Sequence, residues 1–127
     1  MITLTEAEWE VMKILWSKEN NTLSEIVKCA NDKGIPWAMN TIHTLLSRLA
    51  KKNAVAVDKS VSPHIYYPTV DEHECAITET TKLIQRIYNG SISKMFSSLL
   101  SSEKISENEL NELKNIINNF SKNKEGK

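Results

Sequence analysis

Ile42, Leu45, Leu46 and Leu49 fall at i, i+3, i+4 and i+7 of one uninterrupted stretch from Met39 to Lys52. That spacing puts four branched apolar side chains on one side of an α-helix, so the segment has one wall in a core and the other in solvent. The solvent wall is patterned too: Asn40, Thr41, Thr44, Ser47 and Arg48, flanked by His43 and Lys51. Short hydroxyl side chains let a helix backbone approach a surface closely. A Thr methyl meets the thymine methyl, Asn pairs bidentately with adenine, and Arg reaches guanine or a phosphate. An ordinary polar helix surface uses the same residue types, so the position of this helix in the chain decides between the two.

Two helices are expected ahead of it. Thr5 and Glu8 form a capping-box pair, with Leu4 and Trp9 at the staple positions, and Trp9, Met12, Leu15 and Trp16 recur on one face. Asn20 and Asn21 break this helix. Thr22 and Glu25 repeat the capping box before Leu23, Ile26, Val27 and Ala30, and Gly34 ends the second helix. After the third helix, Ala54–Lys59 and Ile65–Thr69 read as β-strands joined by a turn at Ser60-Val61-Ser62-Pro63-His64. Three helices followed by a hairpin is the order of a winged helix-turn-helix, whose third helix enters the major groove.

Residues 71–121 differ in kind. One helix carries Ile77, Ile84, Ile87 and Tyr88 and stops near Asn89-Gly90; a shorter one carries Ile92, Met95, Phe96, Leu99 and Leu100. A last one, capped by Ser106 and Glu109, carries Leu110, Leu113, Ile116, Ile117 and Phe120. So thin a module buries its apolar residues most readily against a second copy through a two-fold interface. The expected organisation is a mainly α protein: a winged-helix DNA-binding domain over 1–70, a helical dimerisation domain over 71–121 and a disordered tail over 122–127.

The 127 residues carry 16 Lys and Arg against 16 Asp and Glu. The zero is segregated: residues 1–32 sum to −3, 33–70 to +4, 71–121 to −3 and 122–127 to +2. One basic stretch between acidic flanks leaves room for a local polyanion footprint. No apolar run approaches the roughly 18 residues of a membrane span, so no membrane insertion is expected. The apolar residues at the start alternate with Glu6, Glu8 and Glu10, unlike a secretory signal. Two cysteines make no disulfide framework and point to a reducing cytoplasm. No Gly-rich phosphate loop, zinc-ligand spacing or Ser/His/Asp motif suggests an enzyme, and no cofactor is expected. His73-Glu74-Cys75, with His64 upstream, reads as a surface histidine near a helix start, and no metal is expected; Cys29 reads as a small core residue.

Glu8-Trp9-Glu10-Val11-Met12-Lys13-Ile14-Leu15-Trp16, then Trp37, Thr41-Ile42-His43-Thr44-Leu45-Leu46-Ser47-Arg48-Leu49, Lys51-Lys52-Asn53 and Tyr67-Pro68 resemble the penicillinase-repressor family. That group includes the repressors of staphylococcal β-lactamase and methicillin resistance. The resemblance covers nearly the whole chain and implies a dimeric repressor on a dyad-symmetric operator. By position it puts base reading on Asn40, Thr41, Thr44 and Arg48, with His43 nearby. Phosphate contacts are expected from Ser47, Lys51, Lys52, Lys59 and His64. The dimer interface is expected from Ile84, Ile87, Tyr88, Leu99, Leu100, Leu110, Leu113, Ile116, Ile117 and Phe120. The chain departs from the staphylococcal pattern at Ala38-Met39-Asn40, where those members have Ser-Pro-Lys, which implies a related but different operator. Relatives in β-lactam systems are relieved by cleavage of an Asn-Phe bond after a membrane sensor-protease detects the antibiotic. The equivalent bond here is Ser98–Leu99; the Asn-Phe pair is absent, and the stretch reads either as a protease site or as a plain helix end. A copper-sensing branch carries paired Cys-x-Cys motifs that Cys29 and Cys75 do not form. Two alternatives stay open: a family member answering another signal such as a metal, or a winged-helix module that binds an acidic protein.

Overall fold

The computed structural model describes residues 2–18 and 20–125. Among them the order is α1 (Glu6–Ser17), α2 (Leu23–Asp32), α3 (Met39–Lys51), β1 (Val55–Asp58), β2 (Ile65–Pro68), α4 (Glu72–Tyr88), α5 (Ile92–Ser101) and α6 (Glu107–Glu125). The first two helices start where their capping boxes place them. Thr5 Oγ1 accepts the Glu8 N–H while the Glu8 carboxylate accepts the Thr5 N–H, and Thr22 and Glu25 do the same for α2. Each box satisfies two backbone donors that a bare helix start leaves unpaired. Gly34, at φ +85°, lets the chain turn back so that the Ile35 N–H reaches the Ala30 carbonyl at 2.9 Å.

α1, α2 and α3 pack around one core. Met12, Leu15, Ile26, Ile42, Leu46 and Leu49 are completely or almost completely buried, joined by Leu4, Val11, Ile14, Ala30, Leu45, Ala54, Val55, Tyr66 and Cys75. Burying a side chain of this size contributes roughly 1.5–3 kcal/mol, so the stripe on α3 alone is a large part of what fixes that helix. Trp9 and Trp16 meet edge-to-face, with ring centroids 5.6 Å apart. The Trp16 indole N–H donates to the Val70 carbonyl at 3.0 Å, which ties α1 to the segment leading into α4.

The hairpin is antiparallel, with Val55 opposite Pro68 and Asp58 opposite Ile65. Its base is closed by the Thr69 hydroxyl donating to the Asn53 carbonyl (2.8 Å) and the Thr69 N–H to the Ala54 carbonyl (2.9 Å). Asn53, at φ +63°, makes the turn from α3 into β1. Asn21 is more than a helix break. It is buried, exchanges both backbone hydrogen bonds with Tyr66 (3.1 and 2.7 Å), and its side-chain amide donates to the Lys18 carbonyl. The loop between α1 and α2 thus adds one rung to the sheet.

α4 is capped by Asp71, whose carboxylate accepts the Glu74 N–H at 3.0 Å. It ends at Asn89 and Gly90, both at positive φ, as the Asn-Gly pair anticipates. The chain divides into two compact units between Thr80 and Thr81, further along than the boundary at 70/71 read from the sequence. Cys75 explains the shift, because it is buried and belongs to the core of the first unit. In the second unit Ser91 caps α5 by accepting the Lys94 N–H. Ser106 makes half of its expected box: its hydroxyl accepts the Glu109 N–H and donates to the Glu109 carboxylate, which does not return to the backbone. The tail expected to be disordered from 122 is helical as far as Glu125, and 126–127 lie outside the described residues. Among the described residues no helix is long and apolar enough to cross a membrane.

Among the described residues the one carboxylate in the core is Glu8, 1% exposed. Its Oε1 accepts the Thr5 N–H at 2.9 Å and a hydrogen bond from Lys52 Nζ at 2.5 Å, and the same ammonium donates to the Thr3 carbonyl at 2.8 Å. Burial pushes the Glu8 carboxyl up, but the Lys52 hydrogen bond and charge and the Thr5 donors outweigh it and leave the group below its ordinary value. A depressed folded-state value stabilises the fold above the unfolded carboxyl's range, and that contribution is lost as pH falls through the folded value. Lys52→Met should therefore lower the unfolding free energy by about 1–3 kcal/mol near neutral pH, with a smaller penalty in acid where Glu8 is protonated. Urea unfolding of both proteins across that range checks it.

Candidate nucleic-acid interface

α3 separates its two walls completely. Ile42, Leu46 and Leu49 are 0–1% exposed and Leu45 is 5% exposed, whereas Asn40, Thr41, His43, Thr44, Ser47, Arg48 and Lys51 are all exposed. The structure thus brings every base-reading candidate onto one helix face. Within it, the Thr44 hydroxyl donates to the Asn40 carbonyl at 2.9 Å, which leaves its methyl and an oxygen lone pair outward. Arg48 and Lys51 lie in the last turn, where a cation complements the negative end of the helix.

Lys52 does not join them. The sequence places it among the phosphate contacts; its ammonium is held by Glu8 and the Thr3 carbonyl. The reason is rotational: one position beyond Lys51 on a 3.6-residue turn, Lys52 reaches the N-terminus of α1.

The wing supplies the second wall. Lys59 and His64 are exposed in the connection between β1 and β2. Asp58 organises that connection, its Oδ1 accepting the Ser60 N–H at 2.9 Å and the Ser60 hydroxyl at 2.5 Å. These bonds, with a further contribution from the nearby His64, hold the Asp58 carboxyl below its usual range. Between α3 and the wing lies an open cleft of about 410 Å³ lined by His43, Leu46, Ser47, Ala50, Val57, Lys59, His64 and Tyr66. A neighbouring recess of about 370 Å³ shares His43, His64 and Tyr66 and adds Thr22, Leu23, Ser24, Ser62 and Pro63. Thr22 and Ser24, which line this recess, were not among the sequence candidates because the capping role of Thr22 accounted for that segment. Their place at the start of a helix preceding the recognition helix was the available signal.

At the far side of α2, the exposed Glu25 carboxyl is held down to about 2, chiefly by the Lys18 hydrogen bond at 2.5 Å and then by the Thr22 N–H and hydroxyl. Its charge is thus engaged with Lys18 and the helix start. Among the described residues no group of three or more His, Cys, Asp or Glu is arranged to hold a metal. Cys29 and Cys75 are free thiols, and burial first, then Asp71, Glu74 and Glu79, push the Cys75 thiol up.

In the second unit, Ile87, Leu100, Ile116, Ile117 and Phe120 are exposed, the last three at about 60%, and Tyr88, Leu99, Leu110 and Leu113 are half-buried. Ile84, from the same expected interface set, is 8% exposed. Ser98 and Leu99 lie within α5, no residue of which is buried.

A profile of the penicillinase repressor family matches residues 4–119. The chain belongs to this family. It is 32% identical over 114 residues to the penicillinase repressor of Bacillus licheniformis, covering 90% of this chain and 88% of that one. It is 33% identical over 119 residues to the methicillin resistance regulatory protein MecI of Staphylococcus aureus, covering 91% and 93%. The solution structure of the B. licheniformis BlaI monomeric form in complex with the blaP half-operator superposes with a TM-score of 0.50 at 34% identity. The match covers 57% of this chain and 88% of that one. As a penicillinase repressor the chain is a transcriptional repressor with a winged-helix fold, and not an enzyme.

The separation of roles on α3 and its end is testable without DNA. Lys51→Ala and Arg48→Ala alter exposed side chains and should leave the urea midpoint of this repressor unchanged, while Lys52→Ala lowers it. A fall of equal size in all three would remove the distinction drawn between Lys51 and Lys52.

Proposed function

We propose that this repressor binds, as a homodimer, a dyad-symmetric duplex operator, with α3 in the major groove. The observation that carries the reading is the exposed face of Asn40, Thr41, Thr44 and Arg48, backed by the buried stripe of Ile42, Leu45, Leu46 and Leu49. A helix seated this firmly presents its outer side chains in a fixed geometry, which direct readout requires. Asn40, Thr41, Thr44 and Arg48 read bases, with His43 beside them. Ser47, Lys51, Lys59 and His64 meet the backbone. The solved complex of the Bacillus relative's monomeric form with a half-operator supports operator DNA as the ligand.

The second unit supplies the two-fold. Its open apolar residues, Ile87, Leu100, Ile116, Ile117 and Phe120, exceed what scattered surface hydrophobes explain, and a second copy covers them in a self-complementary interface. The relatives' roles in penicillinase and methicillin-resistance regulation support a β-lactam-resistance operon as the target and the cytoplasm as the site of action. Relief comes by cleavage of the Ser98–Leu99 bond, in a pathway starting from a membrane sensor-protease. The lack of any buried residue in α5 supports that, since a protease must unwind the helix around its bond.

Binding to duplexes selected from the chain's own upstream region, followed across a salt series, tests the central reading. Affinity falls steeply with salt if phosphates are neutralised. No salt-sensitive preference for a palindromic duplex would favour a protein-interaction module instead. Arg48→Ala should weaken the selected duplex by roughly 1–3 kcal/mol and relax one base position. Ile116→Asp should give a monomer by sedimentation and lose tight operator binding. Derepression by a β-lactam with the repressor still intact would exclude the cleavage step.

A further inference from the structure

The cleft between α3 and the wing has a histidine on each wall. His43 comes from α3 and His64 from the residue before β2, and both are exposed and line both recesses. α2 brings the hydroxyls of Thr22 and Ser24; α3 brings Ser47; β1 brings Asp58, whose carboxylate lies near enough to His64 to feel its charge. The turn brings Lys59, and β2 brings the phenol of Tyr66. With neutral imidazoles the walls therefore carry one cation, Lys59, beside one carboxylate, Asp58, already engaged with Ser60. That offers a polyanion little. With both imidazoles protonated, the same walls carry three cations beside that one carboxylate, with hydroxyls on either side to donate to phosphate oxygens.

We propose that His43 and His64 form a seat for a DNA backbone phosphate between the recognition helix and the wing, complete only when the imidazoles are protonated. The repressor then holds duplex DNA more tightly at lower pH, where histidine side chains gain charge. The proposal rests on the DNA reading above and deepens it, moving His43 from reading a base to holding the backbone. It also answers the scarcity of fixed bases on the wing, where Lys59 is the only lysine or arginine between Val55 and Pro68.

The test uses the full-length chain and a mixed-sequence duplex, with binding measured over a salt series at pH about 8 and about 6. Each phosphate neutralised adds roughly 0.9 to the slope of log affinity against log salt, so filling the one seat should steepen the slope by up to about 0.9 per protomer at the lower pH. His43→Gln and His64→Gln should each lose about half of that increment and the double variant all of it, while His73→Gln on α4 retains it. Equal thermal midpoints confirm that these exposed substitutions leave the fold intact. A slope that does not change with pH, or an increment that survives in the double variant, overturns the seat while leaving salt-sensitive DNA binding in place. Failure to bind any duplex at either pH overturns the DNA reading itself. Histidine ring NMR signals with inorganic phosphate alone separate the sources of the anion. A saturable response that competes away the pH increment would assign the seat to free phosphate and overturn the backbone assignment.

Discussion

The winged-helix unit depends on a carboxylate placed where a carboxylate ordinarily fails. Glu8 is enclosed by the core, and an unpaired charge there would cost several kcal/mol. It is tolerated because three independent features converge on it: the Thr5 N–H at the start of α1, the positive end of that helix, and the Lys52 ammonium from the end of α3. Lys52 also holds the Thr3 carbonyl, so one cation fastens the leading segment, the first helix and the recognition helix together. The apolar stripe of α3 sets which face is inward. The Glu8–Lys52 pair acts on something the stripe leaves softer, the position of α3 along its own axis. Apolar packing tolerates a small slide better than a hydrogen-bonded ion pair does, and a slide of α3 would displace every side chain on its outer face.

Much of this was legible because it is local. Capping boxes, the Asn-Gly break and the 3.6-residue stripe are each encoded within a few residues, and α1, α2 and the end of α4 begin or stop where those signals put them. The exposed face of α3 was legible for the same reason. What escaped is long-range. Glu8 was fully accounted for by its cap, so nothing asked for a second partner 44 residues away, and Lys52, with no visible partner, was counted as free. Asn21 read as a breaker because a single bridge to Tyr66 has no periodicity. α6 runs past Phe120 because Lys122 and Lys124, polar enough to suggest a loose tail, also suit the negative end of a helix; Lys124 lies 5.0 Å from the Phe120 ring centre.

The zero net charge takes on a narrower meaning. The central segment from 33 to 70 carries +4 in sequence with Asp58 of the wing already counted, and one of its lysines is neutralised by Glu8 from outside the segment. The cations left beside the outer face of α3 are Arg48, Lys51 and Lys59. A surface with so few fixed charges gains little from non-specific attraction, so under the proposed mode discrimination would rest with hydrogen bonds and methyl contacts along α3. Acidic residues elsewhere in the chain reinforce that balance.

The rung between Asn21 and Tyr66 has a mechanical consequence. Tyr66 is bonded to β1 on one side and to the α1–α2 loop on the other, so the hairpin is clamped at its middle as well as at its base by Thr69. Only the stretch from Lys59 to His64 projects beyond the clamp. The wing therefore behaves as a short, stiff cantilever, and the gap between its tip and α3 is governed less by hinge motion of the whole hairpin than by the conformation of six residues at its end.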